Sequence, residues 1–123
     1  MRTIKLQLTA IAGLMLLCNL FFSDAYSKEN QPDISITKIS DLQNYTIAYI
    51  KGEVIKILDE DEFRLEDSSG KIKVYTGWKN TNLVKKGENI IAKGKLDPGI
   101  VKEFYASEII MENGEIIKLA SDE

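Results

Sequence analysis

Three short strands in close succession, between Ile50 and Trp78, constrain the fold of this chain more than any other feature. The first contains the run Ile50–Ile57, and apolar and polar residues then alternate over Phe63–Glu66 and again over Lys71–Tyr75. Alternation of this kind is typical of antiparallel strands that bury one face. Because only a few residues separate the runs, they predict two consecutive hairpins.

Two glycines mark where these strands are expected to bend or turn. Gly52 interrupts Tyr45–Ile57, which is too long for one flat strand, and a glycine within a strand often marks a bulge or a bend. The first strand of a barrel needs such a bend, because it pairs with neighbours on both sides of the closure. Asp67-Ser68-Ser69-Gly70 predicts a hairpin turn in which Gly70 has a positive φ.

The rest of the chain adds a linker and two more long strands. Gly77–Lys86 breaks the strand pattern and predicts a short helix or an irregular crossover. Strands are expected over Asn89–Leu96 and Val101–Met111, and Glu115–Leu119 predicts a short strand or tail. Three strands, a linker and two strands form the element order of the all-β, five-stranded OB barrel. A meander in another small β fold is the alternative for the first three strands.

The N-terminal residues read as an export signal. Arg2 and Lys5 precede an apolar segment, and Ser23 and Ala25 place small residues at the two positions that signal peptidase reads. We therefore predict a signal peptide over 1–25, a flexible lead over 26–36 and an OB-fold domain over 37–119, with a periplasmic or secreted mature protein. An uncleaved anchor is the alternative, since the apolar segment approaches the length of a membrane span. A lipoprotein acylated at Cys18 is the lesser alternative.

Before the first strand, Ile36, Ile39 and Leu42 recur every three residues and predict a short N-terminal helix. After the third strand, a large aromatic ring at Trp78 is expected to plug the open end of the barrel.

Composition argues against several functional classes. The chain has 16 basic and 19 acidic residues, a net charge of −3 and no histidine. A mildly acidic chain is a poor match for a phosphate-binding surface. Without histidine it lacks the commonest general base and transition-metal ligand, and cleavage after Ala25 would remove its one cysteine. We therefore expect a monomeric binding protein that is not an enzyme and has no catalytic residue, metal site or cofactor.

The binding face of an OB fold lies over strands two and three, between the loop joining strands one and two and the loop joining strands four and five. Seven candidate ligand-binding residues fall there: Asp59, Asp61, Glu62, Arg64, Lys73, Tyr75 and Asp97. With the neighbouring Glu60, Glu66, Lys71 and Lys102, the face and its rim carry six acids and four bases. Tyr75 is the only aromatic residue whose ring is expected to be exposed on this face.

The charge of this face predicts a small positively charged or polyhydroxylated ligand, such as a polyamine or a cell-wall fragment. Nucleic acid is the alternative partner, since Lys71 and Lys73 share the face, although cross-strand pairing with neighbouring acids is the simpler interpretation of these lysines. The run Asp59–Glu62 has a second interpretation as a hairpin tip that is only solvated.

Residues 37–111 resemble the bacterial OB-fold (BOF) family of small exported, stress-associated proteins. The resemblance rests on four segments and a tryptophan: Ile50–Ile57, Asp61–Gly70, Trp78, Lys86-Gly87-Glu88 and Gly94-Lys95-Leu96-Asp97. The chain departs from the family at Tyr75-Thr76-Gly77, where relatives tend to have acidic residues, and in a shorter, less alanine-rich N-terminal helix. The resemblance implies an OB fold, export and a small or charged ligand, and it supplies no catalytic residue.

Overall fold

The computed structural model describes residues 34–121. The predicted signal peptide, its cleavage site, Cys18 and residues 26–33 of the lead lie outside the described residues. A single 3₁₀ turn precedes the sheet, and the strands are β1 (Ile47–Asp59), β2 (Glu62–Asp67), β3 (Gly70–Tyr75), β4 (Asn89–Asp97), β5 (Glu103–Ile110) and β6 (Ile116–Lys118). Within 34–121 no helix combines the length and the apolar character that a membrane crossing requires.

The strands form one mainly antiparallel sheet that closes on itself. Their order is β3-β2-β1-β4-β5-β6, and a parallel pairing of β3 with β5 closes the first five strands into a barrel. β1 serves both sides of the barrel, because Ile47–Glu53 pairs with β4 and Glu53–Asp59 pairs with β2. The predicted all-β OB barrel is confirmed, and β6 extends it beside β5.

Gly52 lies where β1 passes from one neighbour to the other. A Cβ at this position would overlap the carbonyl oxygen of Glu66 on β2. The register of β1 with β2 then shifts between Val54 and Lys56, as it does at a β-bulge. Close backbone approach therefore requires glycine here, in agreement with the expected bend.

The predicted positive φ at Gly70 is wrong. Positive φ angles among glycines occur at Gly77, Gly87 and Gly114, whereas Gly70 begins β3 opposite Asp67. The Asp67 carboxylate organises the turn instead, because it accepts hydrogen bonds from the Ser69 and Gly70 backbone N–H groups at 2.7 and 3.0 Å. A side chain that satisfies the turn amides removes the need for a left-handed residue.

The expected N-terminal helix is only one 3₁₀ turn, Ile39–Asp41. The flanking residues Lys38 and Leu42 are both extended, with ψ angles of 144° and 133°. Ile36 forms a parallel bridge with Tyr49 of β1, so the regular spacing of apolar residues serves bridge and core contacts and not a helix. Ile39 is buried against the end of the barrel.

The interior is a single cluster of aliphatic side chains and two phenylalanines. Its members alternate along each strand with outward residues and are Ile39, Ile50, Val54, Phe63, Leu65, Ile72, Val74, Val84, Ile90, Ala92, Leu96, Phe104 and Ile109. The irregular crossover between β3 and β4 contributes Val84 to this cluster.

The predicted plug at Trp78 is wrong, because this residue is 62% exposed. The Lys79 Nζ lies 5.2 Å from the centroid of its ring, a cation–π distance. Two constraints bring the chain to this outer position: Gly77 has a φ of 95°, and the buried Thr76 hydroxyl donates to the Asn80 carbonyl at 2.7 Å. The turn that follows β3 thus directs the ring away from the core.

Candidate ligand-binding site

Strand register aligns outward-facing side chains in two rows across the barrel. Positions that alternate with buried residues share the outer surface, and residues paired between strands are close neighbours on it. The tyrosine row is Asp59, Glu62, Tyr75, Tyr105 and Lys95, in the order of strand pairing. The arginine row is Lys56, Arg64, Lys73, Glu103 and Asp97.

Lys73 is the centre of an ion-pair cluster between the two rows. Its Nζ lies 2.6 Å from Glu103 Oε1 and 3.8 Å from Glu62 Oε2. The hydrogen bond to Glu103 raises the pKa of Lys73, and the charges of Glu103 and Glu62 add to this shift against the opposing effect of burial. Lys73 therefore remains a cation that fixes two carboxylates on the face. The predicted pairing of this lysine with acids is confirmed.

Tyr75 and Tyr105 meet edge to face beside this cluster. Their ring centroids are 5.4 Å apart with an interplanar angle of 71°. Burial raises the pKa of Tyr105, and the charge of Glu103 and a hydrogen bond to it raise the pKa further. The phenol of Tyr105 is thus a stable hydrogen-bond donor at neutral pH.

The expectation of a single exposed ring is wrong, because Tyr105 is 43% exposed at the same place. Tyr105 and Glu103 were not among the predicted site residues. Both alternate with the buried Phe104, which marks them as outward-facing, but only the parallel β3–β5 pairing places them beside Tyr75 and Lys73.

The acidic residues of the predicted rim have different surroundings. Asp59 ends the tyrosine row opposite Glu62, and its Oδ1 accepts the backbone N–H of Glu60 at 2.8 Å. Asp97 lies opposite Glu103 at the far end of the arginine row, and its Oδ1 accepts the Gly99 N–H at 3.0 Å. The Asp61 carbonyl accepts the Thr76 N–H at 2.9 Å, which joins the β1–β2 turn to the end of β3.

The structure therefore brings Glu62, Lys73 and Tyr75 into direct proximity and places Asp59 and Asp97 at opposite ends of the two rows. Arg64 lies in the centre of the arginine row, between Lys56 and Lys73. Within the described part of the chain, no group of three or more acidic, histidine or cysteine side chains is arranged to hold a metal ion.

A shallow pocket lies at the edge of the tyrosine pair. Ala120, which follows β6, forms one wall, because its backbone exchanges two hydrogen bonds of 2.8 Å with the side-chain amide of Asn80. The lining residues are Tyr75, Thr76, Gly77, Tyr105, Ala106, Ala120 and Ser121. The pocket leaves an edge of the ring pair accessible beside the ion-pair cluster.

The closed barrel defines an OB-fold protein, and OB folds that bind ligands generally do so over strands two and three. A sequence model of the bacterial OB fold (BOF) protein family matches residues 21–115. The chain therefore belongs to the BOF family, and the resemblance found in the sequence is confirmed.

A solved structure supports the same fold. The chain is similar to the hypothetical protein ygiW from E. coli, with a TM-score of 0.51 and 21% sequence identity over 72% of this chain and 94% of that chain. At this identity the similarity demonstrates the fold alone. No curated protein matches the chain.

Proposed function

We propose that this protein is an exported binding module that takes a small, positively charged or polyhydroxylated ligand on the tyrosine row. The observation that carries the proposal is the edge-to-face pair of Tyr75 and Tyr105 among the carboxylates of Glu62, Glu103 and Asp97. Aromatic rings attract cations through their faces, and their apolar bodies also suit sugar rings. Carboxylates at the same place add Coulombic attraction for a cation.

The ion pairs of this face favour binding over catalysis. Glu62 and Glu103 both pair with Lys73, and neither carboxylate is arranged as a proton donor for a second group. We propose a non-catalytic, monomeric protein with a stress-associated role in the periplasm. The export signal predicted over 1–25 and membership of the BOF family support this location.

The experiment is an NMR titration of the protein, as produced and processed by cells, with spermidine and with muropeptides. We expect chemical-shift changes confined to the two rows, and weaker binding as salt is added. Tyr105→Leu should weaken binding. Tyr49→Leu is the matched control, because Tyr49 also contacts a lysine on the outer surface, with Lys93 Nζ 5.6 Å from its ring centroid. Shifts scattered over the surface, or equal effects of the two variants, would contradict the proposal.

Oligonucleotide binding is the second candidate, because the arginine row places Lys56, Arg64 and Lys73 beside two aromatic rings. Single-stranded nucleic acid is bound by this combination of cations and stacking rings. Fluorescence anisotropy with single-stranded DNA tests it. We expect a Kd no tighter than about 10⁻⁶ M at physiological salt, the tight end of non-specific binding. Nanomolar, salt-dependent binding would favour this candidate over the first.

A further inference from the structure

Two cations on the outer face lie opposite each other without a carboxylate of their own. Lys56 and Arg64 are cross-strand partners in β1 and β2. Neither side chain forms a hydrogen bond or an ion pair with another residue of the described chain. Like charges opposite each other destabilise a sheet. Arg64 is half-buried as a residue, and its guanidinium has no protein partner among the described residues.

The acids nearest to Arg64 are engaged elsewhere. Glu62 and Glu66 flank it on β2, but Glu62 Oε2 lies 3.8 Å from Lys73 Nζ and Glu66 Oε2 lies 3.6 Å from Lys71 Nζ. Lys73, which is opposite Arg64 on β3, is held at 2.6 Å by Glu103. The lysines of β3 thus pair with the neighbouring carboxylates, and the donors of Arg64 remain available to an external anion.

We propose that Lys56 and Arg64 bind a carboxylate of the ligand, so that the ligand is a small zwitterion and not a simple cation. This inference rests on the proposed function, because the cationic end of the ligand occupies the tyrosine row. The planar guanidinium of Arg64 can hold both oxygens of a carboxylate, and the ammonium of Lys56 adds a second charge across the strand pair.

The spacing of the two rows sets the length of this ligand. Arg64 and Glu62 are two residues apart on β2, which separates their positions by about 7 Å along the strand. An ω-amino acid places its ammonium and its carboxylate at a comparable distance.

The test compares three compounds by isothermal titration calorimetry on the protein as produced and processed by cells. ε-Aminocaproate carries both charges, hexylamine only the amine and caproate only the carboxylate. We expect ε-aminocaproate to bind about tenfold tighter than hexylamine, since charge-assisted hydrogen bonds add affinity. Arg64→Gln and Lys56→Gln should each remove most of this advantage of ε-aminocaproate over hexylamine. Lys51→Gln is the matched control, because Lys51 is an exposed lysine of β1 that lies outside both rows.

Equal affinities for ε-aminocaproate and hexylamine, or an unchanged advantage in both variants, would overturn the carboxylate site and leave the proposed function standing. The caproate titration tests the opposite outcome, in which the carboxylate site exists and the cation site does not. If caproate perturbs the NMR signals of Lys56 and Arg64 while hexylamine and spermidine do not bind, the anion site is supported and the proposed cationic ligand is overturned. No binding of any compound at millimolar concentration would overturn both.

Discussion

The β2–β3 turn and the β4–β5 loop both begin with an aspartate that accepts the backbone N–H two residues further on. Asp67 accepts from Ser69 at 2.7 Å, and Asp97 accepts from Gly99 at 3.0 Å. The two carboxylates differ in what else they bind. Asp67 also accepts hydrogen bonds from the Ser69 hydroxyl, the Gly70 N–H and the Ile39 N–H. Among the described residues, Asp97 accepts only from Gly99.

The difference separates a structural carboxylate from one that a ligand can use. Asp67 joins the turn to the N-terminal 3₁₀ turn, and Ser69 strengthens the joint because its hydroxyl accepts the Ser40 N–H at 3.0 Å. The β4–β5 loop instead extends into solvent, with Ile100 and Val101 both exposed. Two loops with the same local motif therefore have different tasks: one holds the end of the barrel together, and the other borders the candidate site.

The largest effect is expected for Asp67→Ala. Loss of four hydrogen bonds in a partly exposed group should lower the free energy of unfolding by about 2 kcal/mol, which lowers the Tm by roughly 8–16 °C for a domain of this size. Asp97→Ala should change the free energy of unfolding by less than about 0.5 kcal/mol. Urea denaturation of both variants measures these two changes in the free energy of unfolding. Equal losses would show that the two carboxylates have equivalent structural roles.

A second, smaller effect concerns pH. Burial alone would raise the pKa of Asp67, but hydrogen bonds from the Ser69 hydroxyl and from the backbone N–H groups of Ile39, Ser69 and Gly70 prevail and lower it. A lowered folded-state pKa stabilises the fold above the unfolded pKa, near 3.9, and this stabilisation is lost as the pH falls through the folded value.

Asp67→Asn, which cannot ionise, provides the measurement for this pH effect. The stability difference between the natural protein and the variant should be constant above about pH 5 and should shrink below about pH 4, as first the unfolded state and then, at lower pH, folded Asp67 takes up the proton. Denaturant midpoints of the natural protein and the variant, measured from pH 7 to pH 3, give this stability difference. A difference that does not change over this range would contradict a role for the charge of Asp67.

Several of these features follow from sequence, and others depend on contacts that no single strand reveals. Alternation along β2 and β3 predicts which side chains face outward, and the pairing of Lys73 with Glu62 follows from it. The position of Tyr105 beside Tyr75 requires the parallel β3–β5 pairing, which joins segments with β4 between them. Trp78 has the size and polarity of a core residue, but the positive φ of Gly77 directs the chain outward.

The third prediction tests whether the β2–β3 turn depends on its aspartate and not on its glycine. Gly70→Ala should change the free energy of unfolding by less than about 0.5 kcal/mol, because a Cβ there meets only Ile39 Cγ2 at an ordinary distance of 3.8 Å. Gly87→Ala is the matched control. Its φ of 93° is strained for alanine although the space around it is open, and a loss of about 1 kcal/mol is expected. A larger loss of unfolding free energy for the variant at Gly70 than for the one at Gly87 would indicate that the β2–β3 turn depends on its glycine.

The smallest effect is expected in the β4–β5 loop. Ile100 and Val101 are exposed and make no contribution to the buried core, so replacing both with serine removes no buried apolar area. The free energy of unfolding of Ile100→Ser/Val101→Ser should therefore stay within about 0.5 kcal/mol of the natural protein. Chemical denaturation monitored by the single tryptophan measures it, since Trp78 lies outside this loop.

A loss of more than about 1 kcal/mol would mean that the loop packs on the barrel in solution, and its aspartate would then join Asp67 as a structural carboxylate. An unchanged stability, together with the large loss in Asp67→Ala, would establish that the barrel separates the loop that stabilises its end from the loop that borders its ligand face.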